Sequence, residues 1–211
     1  MSKTKDNNQI NGQSASSRVD ALLSCLKVPE IEIDKNKIRE PFLKAWEMEN
    51  GDELAPEIQY LTIVGLFIYY THNVLDDYNV RIEPARTIIT AALREWLAPE
   101  LNKMTALERS SANPFKSFVD AQIQRVDEVY TWENFLLTHQ RTDEKEWNYK
   151  MKRCWFAQFF VRFGRMQYIE TACHFDKIPA EARADYVNLK LQNLFSKLGT
   201  SCQFTYTPKI P

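Results

Sequence analysis

Glycine is scarce in this chain, with five residues among 211. No Gly-rich loop is present to cradle a phosphate, and no G-x-S-x-G turn to present a nucleophilic serine. Net charge is also nearly absent: 27 Lys and Arg against 28 Asp and Glu leave a formal −1, which excludes a broad basic face and makes nucleic acid an unexpected partner. Long apolar runs are missing. The longest, "YLTIVGLFIYY" at 60–70, is about half of what a membrane span needs. The opening residues 1–19 (MSKTKDNNQINGQSASSRV) lack the apolar core of a secretory signal. Without such a signal, four cysteines read as reduced thiols, and a cytoplasmic location is expected. No C-x-x-C pair occurs among them, so no metal site is assigned. No cofactor is implied either.

What is present fits one well-filled domain: 44% hydrophobic and 26% charged residues in a chain of this length. Residues 1–19, rich in Ser, Asn, Gln and Lys, read as a disordered tail. Residues 20–211 read as a single α+β domain, helical over 20–143 and sheet-containing over 144–211. In the helical part, 56–75 follows Pro56 and is densely apolar. Ala85, Ile88, Ile89, Ala92, Leu93, Trp96 and Leu97 keep helical spacing over 84–97. Asn113-Pro114 opens another helix, with Phe115, Phe118, Val119, Val126, Val129 and Tyr130 as its buried stripe.

After Asp143 the period changes. Trp147, Tyr149 and Met151 alternate with Asn148, Lys150 and Lys152, the mark of a half-buried strand. Helical spacing returns over 155–163 and stops at Gly164; a short helix follows and ends near Lys177-Ile178-Pro179. Val187, Leu189 and Leu191, then Cys202, Phe204 and Tyr206, alternate again, with Gly199 in the turn between. The expectation is one small antiparallel sheet built from 147–153, 187–192 and 202–207.

This last third resembles the L-2-amino-thiazoline-4-carboxylic acid hydrolase family over residues 145–207. The residues that carry the likeness are Arg153-Cys154, "FFVRFG" ending at Gly164, "CHFD" with Cys173 and Asp176, and "LGTSCQFTY" with Gly199, Cys202, Phe204 and Tyr206. One departure stands out: "LQNLF" at 191–195 replaces the family's Arg-Thr-x-Thr run. If that run holds a carboxylate, this chain takes a different substrate. The resemblance implies a hydrolase that opens a small heterocycle or cleaves a C–N bond of a small acid. It places Cys173 and Asp176 at the catalytic centre, with Arg153, Cys154, Cys202 and His174 lining it. A two-point contact from Arg153 would suit a carboxylate.

The residues themselves leave alternatives open. Cys173 and Asp176, three apart, share one face of a helix. A neighbouring carboxylate raises a thiol's pKa, so activation needs a base or a cation, and His174 and Arg153 are the candidates. His174 points about 100° away from Cys173 on a helix. The plainer reading makes Cys173 a small buried hydrophobe and Asp176 a structural partner. His72 and His139 stand alone and read as packed or exposed side chains. Asp76 and Asp77, in "HNVLDDYNV", resemble a Mg²⁺–diphosphate pair of isoprenoid synthases, but no second acidic segment accompanies them, and pairing with Arg81 and Arg86 is the structural alternative. A small-molecule substrate is the expected partner, and the same fold serving as a non-catalytic ligand-binding protein is the second reading. Oligomeric state is not legible.

Overall fold

The computed structural model describes residues 14–209. The chain is mostly helical at first and closes with a small four-stranded antiparallel sheet. It divides into two compact units at Ala92/Leu93, inside a helix. The change from helices to strands, expected at 143/144, comes at Leu137, where the first strand begins.

The first unit holds α1 (Ala15–Cys25), α2 (Asn36–Met48), α3 (Pro56–Asp77) and the start of α4 (Ile82–Arg109). Val19 and Leu22 of α1, and Ile38 and Phe42 of α2, are fully buried, and every residue of the Leu61–Ile68 stretch of α3 is buried. A helical stripe on α1 and α2 thus finds its partner in the most apolar helix. His72 is buried in α3, and that burial pushes its pKa down to about 3, so it is a neutral core histidine.

The start of α1 corrects the tail expected over 1–19. Residues 1–13 lie outside the described residues, but Ser14 caps the helix through the Ser17 N–H (3.2 Å), and Ala15, Arg18 and Val19 are buried. Three apolar or amphipathic side chains within "SASSRVDALL" carry the helical spacing that the polar composition masks. Removing residues 1–18 is therefore expected to lower stability by about 1–2 kcal/mol, through the lost cap and lost burial. Chemical denaturation of the truncated chain checks this, and an unchanged midpoint would return these residues to the tail.

The second unit starts with the rest of α4, which runs through Pro99 to Arg109, beyond the stop expected at 97. Next come α5 (Pro114–Val129), capped by Asn113, and the single turn α6 (Trp132–Phe135). Strands β1 (Leu137–Thr142) and β2 (Trp147–Met151) form a hairpin whose turn is held by Asp143 Oδ1, which accepts from the Lys145 and Glu146 N–H groups. Then follow α7 (Trp155–Arg162), α8 (Ile169–Phe175), α9 (Ile178–Glu181), β3 (Val187–Gln192) and β4 (Cys202–Pro208). Gly164 ends α7 with φ +68°.

The sheet order is β1-β2-β4-β3. Trp147 sits opposite Tyr206, Tyr149 opposite Phe204 and Met151 opposite Cys202, while Leu189 faces Tyr206 and Leu191 faces Phe204 across β3. This register puts every apolar member of the three expected strands on one face. That face meets α5, where the Phe118 ring lies 5.6 Å from Trp147 and 5.4 Å from Tyr206. At the other end, Gly199 lies so close to the Asn193 carbonyl that a Cβ would stand 2.0 Å from its oxygen. A side chain there would force the β3–β4 connection to open.

Candidate functional site

The end of β2, the start of β4, and helices α7 and α8 bring four reactive side chains together. Cys154 precedes α7, Cys173 lies within α8, Asp176 caps the C-terminal end of α8, and Cys202 opens β4 opposite Met151. Each thiol feels the charge of Asp176. The cluster therefore unites Cys154, Cys173, Cys202 and Asp176 from the sequence-based set.

Asp176 is a carboxyl strongly changed by this setting. Loss of solvent raises its carboxyl to about 6, and two contacts oppose the rise: the Tyr130 hydroxyl, which donates to Oδ1 at 2.7 Å, and the nearby Lys177 ammonium. Tyr130 ends α5, and its ring packs edge-on against Phe135 at 4.8 Å. Tyr149 and Tyr206 complete the surroundings, with hydroxyls 3.3 Å apart, and burial keeps both phenols protonated. The helical stripe of α5 pointed to Tyr130 as core, and strand alternation pointed to Tyr149 and Tyr206; nothing local marked the Tyr130 hydroxyl as the partner of a carboxyl 46 residues downstream.

The thiols are not activated. Burial, then Asp176, pushes Cys173 up to about 11, against a hydrogen bond from Ser196 and the charge of Lys177. Burial likewise carries Cys202 up to about 12 and Cys154 well above the ordinary thiol range. All three are neutral at physiological pH, unlike a standing thiolate nucleophile. Ser196 belongs to the β3–β4 connection, which is also tied to α8 by an ion pair between Lys197 and Glu170.

Arg153 is one of the residues expected to line the site. It is exposed, and its Nη1 donates to the Glu133 carbonyl at 2.7 Å, because it leaves β2 on the side of the α6 turn. His174 sits half-buried in the last turn of α8, and the groups acting most strongly on Cys173 are Asp176, Ser196, Lys177 and Glu170. The cation beside the cluster is thus Lys177. His139 is no isolated histidine: its Nε2 bonds Asp127 at 2.8 Å, and its Nδ1 accepts from the Trp147 indole at 3.2 Å. Asp76 and Asp77 are exposed on the last turn of α3, and Arg86 pairs with Glu83 at 2.6 Å. Among the described residues, no group of three or more His, Cys, Asp or Glu is arranged to hold a metal ion. Among them, too, no helix is long and apolar enough to cross a membrane.

The family model for L-2-amino-thiazoline-4-carboxylic acid hydrolase matches residues 65–206, from within α3 to within β4. The chain belongs to this family. The match reaches well upstream of the 145–207 segment that carried the resemblance, so α4, α5 and Tyr130 are part of the aminothiazoline-carboxylate hydrolase framework as well. No curated protein matches the chain significantly. Among solved structures, an unliganded Fe(II) H-NOX protein from K. algicida aligns at 8% identity over 93% of this chain and 97% of that one, with a TM-score of 0.40. An H-NOX protein from S. oneidensis in the Fe(II)NO state aligns at 10% identity over 92% and 89%, with a TM-score of 0.37. Likenesses this loose carry no argument about ligand or activity.

Proposed function

We propose that this member of the aminothiazoline-carboxylate hydrolase family adds water to a C–N bond of a small heterocyclic or amide-like acid, with Asp176 as the general base. One observation carries the reading: a part-buried carboxyl raised to about 6, oriented by Tyr130 and set among neutral thiols. A base is most effective when its pKa lies close to the working pH. With Oδ1 engaged by Tyr130, Oδ2 is the oxygen that takes a proton from water as the water oxygen bonds to the electrophilic ring carbon. The same proton then passes to the departing nitrogen as the C–N bond breaks, and Asp176 is restored. Cys173, held by Ser196, shapes the site as a neutral thiol, and Lys177 supplies the positive charge that an acidic substrate needs.

The test is a pH profile joined to two cysteine variants, using an aminothiazoline carboxylate and related cyclic acids as substrates. The rate kcat/KM is expected to rise with pH through an apparent pKa of about 6 and then level off, since only ionised Asp176 accepts the proton. Cys173→Ala and Cys173→Ser should each lower it by roughly ten-fold or less, the scale of disturbed packing beside the base. A loss beyond roughly a thousand-fold in Cys173→Ala would make the thiol the nucleophile instead. No turnover of any such acid by the wild type would overturn the hydrolase reading.

A further inference from the structure

A groove of about 590 Å³ runs between α9 and strand β3. It is an open groove, and a single five-membered ring with one carboxylate would fill only part of it. The helical side is built from Lys177, Ala180, Glu181 and Ala184, spaced i, i+3, i+4 and i+7. The strand side presents Leu189, Leu191 and, past the strand end, Leu194. Because β3 is an edge strand, these leucines are only half-covered by the protein. From Val187 to Leu191 the strand extends for about 13 Å.

Two ammonium groups, Lys177 and Lys209, line the groove together with Glu181. The Glu181 carboxylate is already held by Arg94 at 2.6 Å. Lys209 donates to the Ala184 carbonyl at 2.8 Å, and its ammonium also acts on the Asp185 carboxylate. Lys177 adds a second ammonium. It follows Asp176 directly in the chain and acts on both Asp176 and Cys173, so it is the residue that the groove and the reactive cluster have in common.

Resting on the hydrolase reading above, we infer that the substrate is an amphiphilic carboxylate: its acid group is held by Lys177, and an aliphatic arm lies along Leu189, Leu191 and Leu194. A bare ring acid uses the charge and leaves the leucines wet. An acid with a medium-length alkyl arm satisfies both.

Octanoate and its neutral analogue octanamide separate the two contributions, with binding to the full chain measured calorimetrically and no turnover required. Octanoate is expected to bind at least ten-fold more tightly than octanamide. Lys177→Gln should erase that ratio, and Leu191→Asp should weaken octanoate at least ten-fold. Leu191→Ala, a milder change, should weaken it several-fold should the aspartate variant fail to fold. Lys190→Gln, on the opposite face of β3, should change neither affinity. Equal affinities of the two probes for the wild type, no octanoate binding at millimolar concentration, or an unchanged ratio in Lys177→Gln would each overturn the inference. Because binding is read alone, the two ideas fail separately. Octanoate bound as described without hydrolysis of any cyclic acid removes the hydrolase reading and leaves the groove. Hydrolysis of small ring acids without octanoate binding does the reverse.

Discussion

Replacing Arg183 by methionine is expected to cost about 3–5 kcal/mol of stability, the scale seen when one partner of a buried ion pair is removed. Arg183 is fully buried, and its Nε and Nη2 donate to the two carboxylate oxygens of Glu108 at 2.7 and 2.6 Å. Its remaining Nη1 donates to the Pro179 carbonyl at 2.7 Å, and the guanidinium stacks 5.0 Å over the Phe118 ring. Glu108 also accepts from the Tyr186 hydroxyl. Taking away the guanidinium strands a carboxylate that is itself only 2% exposed. The pair clamps the end of α4 to the segment between α9 and β3, and a second bidentate pair, Arg109 with Asp185 at 2.9 Å, reinforces it from the surface. The exposed pair contributes far less, since solvent screens it. The double change Arg183→Met with Glu108→Leu should recover most of the loss, because no charge is then left without a partner. Urea denaturation of both variants decides: a double variant as unstable as the single one would mean that packing, not charge, holds this junction.

Much of the sheet was readable because its inner face alternates. Trp147, Tyr149 and Met151, then Val187, Leu189 and Leu191, then Cys202, Phe204 and Tyr206, each carry a period of two, and the antiparallel register brings all nine to one side. Strand β1 carries no such period. In "LTHQRT" only Leu137 is buried, and the pairing shifts between His139 and Arg141, so an edge strand with a bulge reads as polar loop. The candidate site was legible to the same degree. Spacing within α8 put Cys173 and Asp176 on one face, and strand position put Cys202 nearby. The partners that set their chemistry came from far along the chain: Tyr130 from the end of α5 and Ser196 from the β3–β4 connection. Neither belongs to a local pattern. Arg153 lies two residues past the end of β2 and reaches the Glu133 carbonyl; a strand's alternation gives only which face a side chain takes, and past the strand that rule lapses. Glu108 and Arg183, 75 residues apart, look in sequence like two ordinary surface charges; only the closed fold buries them together.

Asp176→Asn is expected to abolish most turnover and, at neutral pH, to stabilise the protein. The two effects share one cause. In the folded protein the carboxyl titrates at about 6, against an ordinary value of 3.8. Below pH 4 it is protonated whether the chain is folded or unfolded, and its burial carries no ionic penalty. Between pH 4 and 6 the unfolded chain ionises first, which draws the equilibrium toward unfolding. Above pH 6 both states are ionised and the whole penalty is felt, on the order of 2 kcal/mol once the part exposure of the residue is allowed for. Asparagine removes the penalty and still offers Oδ1 to the Tyr130 hydroxyl. Its amide N–H groups need new partners, so the absolute gain is smaller than the ionic term, but that cost does not vary with pH. The difference in stability between Asp176→Asn and the wild type should therefore grow by about 2 kcal/mol from pH 4 to pH 8, with nearly all of the change centred between 4 and 6. Turnover at pH 8 should fall by roughly 10²- to 10⁴-fold, the usual worth of a positioned base. Tyr130→Phe supplies the graded case. Without the hydroxyl that lowers it, the carboxyl should titrate above 6, and the rising limb of the rate profile should move to higher pH. Denaturation curves at pH 4, 6 and 8 together with kcat/KM at pH 8 read both effects. A stability difference that stays flat across this range would show that Asp176 is solvated in the folded state, and the general-base assignment would fall with it.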